Sequence, residues 1–349
     1  MQGTNVSASA HDYRVVSLFS GGGGLDLGFK QAGFNIVWAI DNARDAVETY
    51  RANIGKHIVC ADINSIAPAD IPQPDIIIGG PPCQSFSLAG NRHVEDARGQ
   101  LVWTYLEIIN SKLPKFFLFE NVVGILSARN DKKEKIIDLL MAKFAAMGYT
   151  LSFKIVNAAE YGVPQLRRRA IIIGSRKGKV EFPPPTHNAD GTGGLHRFVS
   201  VSEALGDLPQ PAKGSPIDHE PPAMSELDRY IVAHVKPGGN YMDIPADVKS
   251  ERIRRLQRDG GHTTCYGRMH PDRPAYTINT YFNRPNVGCN IHYSQDRLIT
   301  VREALRLQSF PDSYHIVAKS KTAKNLIVGN AVPPRLAYAL AENLKQYLY

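Results

Sequence analysis

The chain has 349 residues, 43% of them hydrophobic and 21% charged, with a formal net charge of +8. That is the profile of a soluble globular protein of about two domains. It excludes membrane-spanning and disulfide-framework classes: no apolar run reaches the roughly 18 to 20 residues of a span, and four cysteines (Cys60, Cys83, Cys265, Cys289) are few for so long a chain. The polar start, residues 1–12, has no signal-peptide core and reads as a disordered tail, so a cytoplasmic protein is expected.

Tyr13 to Phe19 is a β-rich run ending in Ser20-Gly21-Gly22-Gly23-Gly24, after which Leu25-Asp26-Leu27-Gly28-Phe29 opens a helical pattern. No register of these glycines satisfies G-x-G-x-x-G, so the turn is not a dinucleotide fingerprint; it lets backbone come close to a small molecule. A second strand, Phe34 to Ile40, ends in Asp41, placed to accept hydrogen bonds from ribose hydroxyls, and a short one, His57 to Cys60, ends near Asp62-Ile63.

The next strand, Asp75 to Ile78, stops at Gly79-Gly80-Pro81-Pro82 and presents Cys83. β-branched residues in an unbroken run suit a buried parallel strand, and two glycines followed by two prolines forbid its continuation. A thiol at a strand's carboxyl end is a candidate nucleophile, the commoner alternative being a buried inert cysteine. Residues 84–100 are polar, aperiodic and long enough to be a lid.

Helices are expected at 98–113 and 131–147, on either side of a fifth strand, Lys115 to Phe119, that ends in Glu120-Asn121-Val122. Two more strands follow, Leu151 to Val156 and Arg169 to Gly174. Strand and helix alternation predicts a doubly wound, mostly parallel sheet, with Asp41, Asp62, Cys83 and Glu120 along one edge. From Lys132 to Lys179 there are eleven Lys/Arg against three acids. Gln165 to Lys179 holds six basic residues and no acid, which suits a surface facing a polyanion, or else a solvated basic face.

After Lys179 the texture changes: residues 181–297 hold 13 of the 23 prolines. The expected organisation is therefore a first domain over 13–180, a smaller irregular one over 181–297, and a return to the first over 298–349. In the second domain Ala246 to Arg258 reads as a helix whose Arg252, Arg254, Arg255 and Arg258 reach either phosphates or solvent. Helices are expected again at 300–309 and from Arg335 to Leu348. Cys265, His270, Cys289 and His292 do not have the paired spacing of a zinc site, and no metal is expected.

Taken together, the blocks Phe19-Ser20-Gly21-Gly22-Gly23-Gly24, Asp41, Asp62, Gly80-Pro81-Pro82-Cys83-Gln84-Ser85-Phe86-Ser87, Glu120-Asn121-Val122, Gln165-Leu166-Arg167-Arg168-Arg169, Arg273-Pro274-Ala275-Tyr276-Thr277 and Gly329-Asn330-Ala331-Val332 stand in the order found in another group of proteins. The chain resembles the C5-cytosine DNA methyltransferases, of the bacterial modification type, from about Tyr13 to its end. Ala331 departs from the serine common in that family and removes a hydroxyl there.

The resemblance implies a Rossmann-like fold that binds S-adenosylmethionine, with a target-recognition domain over 181–297. It implies that Cys83 adds to C6 of a cytosine flipped out of double-stranded DNA, that Glu120 holds N3, and that Arg167 and Arg169 steady the base and the Glu120 carboxylate. It assigns Phe19, Gly21, Gly23, Leu25, Asp41, Asn42, Asp62, Ile63, Pro82, Leu101, Asn330 and Val332 to the cofactor. Ser87 and Arg98 are assigned to DNA; Arg268, Tyr281, Asn283 and Arg284 are base-contact candidates, chosen because they are polar or aromatic near the recognition region's end. A monomer is expected, associated with the nucleoid, with a cognate restriction endonuclease as a functional partner. Three rivals weigh less. tRNA methylation is disfavoured because no cysteine here precedes Phe-Thr, exocyclic amino methylation because an aromatic residue would follow Pro-Pro, and pure DNA binding because the catalytic blocks are intact.

Overall fold

The computed structural model describes residues 12–82 and 97–348, with the side chains of residues 97–99 excluded. The elements in chain order are β1 (Arg14–Leu18), α1 (Gly24–Gln31), β2 (Asn35–Asp41), α2 (Arg44–Asn53), β3 (Ile58–Cys60), β4 (Ile76–Gly79), α3 (Ala97–Lys112), β5 (Phe116–Val122), α4 (Ile136–Ala146), β6 (Thr150–Asn157), β7 (Gln165–Leu166) and β8 (Arg168–Ser175). There follow β9 (His187–Asn188), β10 (His196–Arg197), α5 (Val201–Leu205), α6 (Glu226–His234), α7 (Glu251–Asp259), β11 (Gly267–Arg268), β12 (Ala275–Tyr276), β13 (Cys289–Ile291), α8 (Val301–Leu307), α9 (Lys321–Asn330) and α10 (Pro334–Leu344). No helix among the described residues is long and apolar enough to cross a membrane.

The chain divides into two compact units, one of residues 1–157, 168–184 and 336–349, the other of 158–167 and 185–335. The second unit therefore begins with a ten-residue excursion before β8 and keeps α8 and α9. The chain re-enters the first unit at Leu336, not at the expected residue 298. Residues 298–335 carry no long apolar run to mark which core they join.

The first unit is built on a seven-stranded sheet of order β3-β2-β1-β4-β5-β8-β6. Six strands run in one direction, and β8 alone is reversed, antiparallel to both β5 and β6. β4 is buried along its whole length, and β5 along all but Val122, because helices cover both faces. Side chains alternate across a strand, so Ile40 joins α3 and α4 in the larger core while its neighbour Ala39 joins Val47 and Tyr50 of α2 and Ile54 just beyond it. α10 buries Leu336, Ala337, Leu340, Ala341 and Leu344, a helical stripe, and Asn343 donates to the Glu181 carbonyl at 2.6 Å.

In the second unit a separate core forms around α6, the segment before α7, and β13, with Ile231, Val232, Val235, Tyr241, Ile253, Tyr266 and Ile291 at its centre. Its strands are two residues or little more and pair only two at a time. The helix expected from Ala246 starts at Glu251, and the last helix ends at Leu344 with a single 3₁₀ turn beyond it.

In the larger core Phe117 is 1% exposed, its ring centroid 4.4 Å from Phe144 and 4.9 Å from Tyr149. Phe117→Ala should cost about 3 to 5 kcal/mol, a large share of a domain's stability. Urea denaturation followed by fluorescence checks this, and a loss below about 1 kcal/mol would contradict the packing described.

Candidate active site

Parallel pairing fixes what meets at the sheet's carboxyl edge. Leu18 is in register with Ile40 and with Gly79, Gly79 with Phe119, and Asp41 with Cys60. The residues that leave these strands therefore stand in one row. Because β8 is antiparallel, its first residues arrive at the same edge, and Arg169 lies opposite Val122.

The end of β4 explains its two glycines. A Cβ on Gly79 would lie 2.5 Å from the Leu18 carbonyl oxygen, and one on Gly80 would lie 2.6 Å from Glu120 Oε2. Asn121 Nδ2 then donates to the Pro81 carbonyl at 3.0 Å, tying the Pro-Pro lead to β5. Pro82 follows, partly buried. Cys83 and residues 84–96 of the expected lid lie outside the described residues, while residues 97–100 already belong to α3.

Glu120 and Arg169 are 8% and 9% exposed and form an ion pair, Arg169 Nε to Glu120 Oε1 at 2.8 Å. Glu120 and Val122 share a face of β5, so a residue paired with Val122 reaches Glu120 diagonally. Burial draws the Arg169 guanidinium below its ordinary value, opposed by the Glu120 carboxylate. Removing one partner of such a pair leaves an uncompensated buried charge, typically at a cost of about 3 to 5 kcal/mol.

At the ends of β1 and β2, Phe19 takes φ 56°, a left-handed conformation that is strained for a bulky side chain and is characteristic of functional turns. Gly21, at φ 55°, has open space where a Cβ would stand. Asp41 Oδ2 accepts from Gly21 N at 2.8 Å and Oδ1 from Ala43 N at 2.9 Å, while burial pushes its carboxyl above the usual range. Asn42 beside it is exposed, Leu25 is buried, and Leu101 is partly buried against the larger core. Asp62 is exposed and caps a short 3₁₀ turn through Asn64 N at 2.9 Å, whereas the Ile63 side chain belongs to the core. Gly23 has a packing reason of its own, since a Cβ there would collide with Ile54 and Tyr50.

In the second unit Arg167 is fully buried. Its NH1 donates to the Ile278 carbonyl at 3.0 Å, and its NH2 to the carbonyls of Gly329 and Ala331 at 2.8 and 2.9 Å. The expectation that Arg167 steadies Glu120 is therefore replaced: Arg169 holds the carboxylate, and Arg167 pins the chain on both sides of Asn330. Asn330 ends α9 and is exposed, and Val332 is 8% exposed. Gly329 has no room for a side chain because a Cβ would lie 2.5 Å from Thr280 N.

The model of one family, the C-5 cytosine-specific DNA methylases, matches residues 13–346. The chain belongs to that family. Its reaction is methyl transfer to carbon 5 of cytosine in DNA. This methylase is 39% identical over 347 residues to the Type II methyltransferase M.NgoFVII of Neisseria gonorrhoeae, covering 98% of this chain and 88% of that protein. It is 35% identical over 343 residues to the Type II methyltransferase M1.HphI of Haemophilus parahaemolyticus, covering 94% and 85%. A solved E. coli prophage protein described as a DNA modification methyltransferase matches with TM-score 0.66 and 26% identity, over 96% of this chain and 99% of that one.

The residues assigned to DNA fare unevenly. Ser87 lies outside the described residues; Arg98 falls in α3, its side chain likewise outside them. Arg268 is corrected: it is 5% exposed, and its guanidinium is spent on the carbonyls of Val232, Val235, His292 and Gln295 and on Asp296, so it holds the second unit's core together. Position in the sequence gave no sign of that burial. Tyr281 and Arg284 are both exposed, with the guanidinium 5.2 Å from the ring centroid, and Asn283 is partly buried. The basic run is broken too, because Arg167 and Arg169 are buried while Arg168, Arg176, Lys177 and Lys179 are exposed. On α7, Arg254, Arg255 and Arg258 pair with Glu251 or Asp259. Among the described residues no group of three or more His, Cys, Asp or Glu is placed to hold a metal ion.

Two supports of this methylase's site leave little mark on the sequence. One is the Asn121 bond to Pro81, whose only trace was the Glu-Asn-Val block; the other is the pressure of Glu120 on Gly80, whose trace was the doubled glycine. Gly80→Ala should move Glu120 away from Arg169 and lower turnover at saturating DNA and cofactor by at least about tenfold, equivalent to about 1.4 kcal/mol. Radiolabelled methyl incorporation measures it, and wild-type turnover would show that the carboxylate does not need its place.

Proposed function

We propose that Cys83, Glu120 and Arg169 carry the methylation, with S-adenosylmethionine as methyl donor and a cytosine flipped from double-stranded DNA as acceptor. The observation that supports this most is the buried Glu120–Arg169 pair next to the anchored Pro81-Pro82 lead. Cytosine C5 is a poor nucleophile. Addition of the Cys83 thiolate to C6 makes the ring an enamine, and Glu120, fixed by Arg169, holds or protonates N3 as electrons move toward it. At an unperturbed pKa near 8.5 only about 3% of the thiol is ionised at pH 7, so nearby basic groups aid the step. Loss of the C5 proton then allows Cys83 to leave by elimination. Sulfur attacks perpendicular to the ring, which requires the base to be out of its stack.

The residues present fit the cofactor. Gly21 leaves open space at the end of β1, and the Asp41 carboxylate uses two of about four acceptor sites on backbone donors, leaving capacity for ribose hydroxyls. Phe19, Gly21, Asp41, Asn42, Asp62 and Leu101 of the first unit would hold it. When bound, the cofactor supplies an electrophilic methyl group on a sulfonium. Tyr281, Asn283 and Arg284 are proposed as base contacts, and Ser87 and Arg98 as contacts to the DNA backbone. The Type II relatives suggest a modification role beside a cognate endonuclease.

Two experiments test the reading. Duplex DNA with 5-fluorocytosine at the target base should form an adduct that survives denaturing electrophoresis, requires S-adenosylmethionine, maps to Cys83 and is absent in Cys83→Ala. Attachment at Cys60, Cys265 or Cys289 would refute the assignment. Asp41→Ala should weaken cofactor binding by roughly 5- to 150-fold, the worth of about 1 to 3 kcal/mol of lost hydrogen bonding. Unchanged affinity by titration calorimetry would remove Asp41 from the site.

A further inference from the structure

Beneath the glycine turn lies a buried polar cluster that the reaction above does not use. Asp26, in the first turn of α1, is fully buried. Its Oδ2 accepts from Ser17 Oγ and its Oδ1 from Tyr50 Oη, each at 2.9 Å. Ser20 Oγ donates to Ser17 Oγ at 2.9 Å, and Tyr50 Oη lies 3.0 Å from His57 Nε2. The Ser20 hydroxyl also lies 3.2 Å from the Ser17 carbonyl, and proton counting fixes the bonds around the carboxylate. An ionised carboxylate donates nothing, so Ser17 and Tyr50 each give it their only hydroxyl proton, and His57 must donate its Nε2–H to Tyr50. The cluster joins β1, the turn, α1, α2 and the start of β3. Nearby, Gly23 leaves no gap, since a Cβ there would lie 2.8 Å from the Tyr50 ring.

We propose that Asp26 is a positioning residue for the methyl donor: through Ser17 and Tyr50 its carboxylate holds the Ser20–Gly23 turn in the shape that receives the cofactor. This rests on the assignment of that turn to S-adenosylmethionine. Burial pushes the Asp26 carboxyl up to about 6, against the pull of the Tyr50 and Ser17 bonds and with the charge of Asp41 adding to the rise. The other groups facing the cluster are His57, drawn down by burial and by Lys30, and the Tyr50 phenol, held far above its ordinary value; Lys30 Nζ itself is committed to the Ile54 carbonyl at 2.7 Å. When Asp26 takes a proton, Oδ1 or Oδ2 becomes a donor, and the hydroxyl that gave to it, Tyr50 or Ser17, must turn its proton elsewhere, so one of the two ties that hold the turn is rearranged. The fold responds with the opposite sign. With a folded value of about 6 against about 3.8 unfolded, the folded chain binds the extra proton between those values, so this group's stabilisation is present at low pH and lost as pH rises to about 6. An ionised carboxylate kept here at the expense of stability is what a functional site shows.

The test is calorimetric titration of the full chain with S-adenosylmethionine, without DNA, from about pH 5 to about pH 8. Wild-type affinity should rise through about pH 6 by roughly fivefold or more, equivalent to about 1 kcal/mol. Asp26→Asn should bind more weakly at the upper end and show no such rise, while turnover at saturating cofactor falls less than affinity does. Without cofactor, its melting temperature relative to wild type should increase from about pH 4 to about pH 6. Tyr50→Phe, which keeps the carboxylate but removes a bond that lowers its pKa, should shift the binding midpoint upward, and this decides the matter if Asp26→Asn does not fold. A midpoint that moves with His57→Gln but not with Tyr50→Phe would make His57 the titrating group and overturn the proposal. So would equal wild-type affinity across the range, although the turn's assignment to the cofactor would then stand. No binding at any pH would remove both.

Discussion

No side chain fits between the end of β4 and the carboxylate of Glu120, and much of the site depends on that closeness. Gly80 allows the approach, Asn121 secures the following carbonyl, and two prolines stiffen the chain as it leaves the sheet. Glu120 is itself buried, and its polar carboxyl is accommodated there because Arg169 reaches it from the next strand. The position of the lead to Cys83, the orientation of Glu120 and the burial of Arg169 thus form one arrangement, in which loss of any member exposes the others to solvent or leaves a charge unpaired.

The second unit uses arginine differently. Arg167, Arg268 and Arg302 are buried and spend their guanidinium groups largely on backbone carbonyls, in places where short strands and loops supply few partners for one another. A planar fork with five donors in fixed directions can satisfy more carbonyls, spread more widely, than the three donors on the single nitrogen of a lysine. In an irregular region rich in proline, such residues take the place that ladder hydrogen bonds have in the sheet.

This explains what was legible in the sequence and what was not. The sheet strands could be read because unbroken apolar runs bounded by turn residues have few other uses, and the places of Asp41, Asp62 and Glu120 followed from their positions at or after strand ends. The motif blocks pointed to the family before any geometry. Arg167 and Arg268 were misread because spacing shows neither burial nor partners, so a clamp and a DNA contact look alike. α2, α6 and α9 are only nine or ten residues long and do not stand out from their surroundings, although Ser225 followed by Asp228 three residues later forms the capping box at the start of α6. The tie from Asp26 to Ser17 and Tyr50 joins residues 9 and 24 positions apart, and no local pattern marks such a link.

The antiparallel course of β8 has a consequence for how this enzyme can vary. A parallel strand brings its last residues to the working edge, but β8 brings its first, so Arg169 reaches Glu120 only while β8 keeps its register against β5. A slip of one residue would turn the arginine to the opposite face. Insertions and deletions are therefore barred from β5 and β8 themselves. The segment before β8 belongs to the other unit, so over evolution that unit can lengthen or shorten while the register of β8 against β5, and with it the Glu120–Arg169 pair, stays in place.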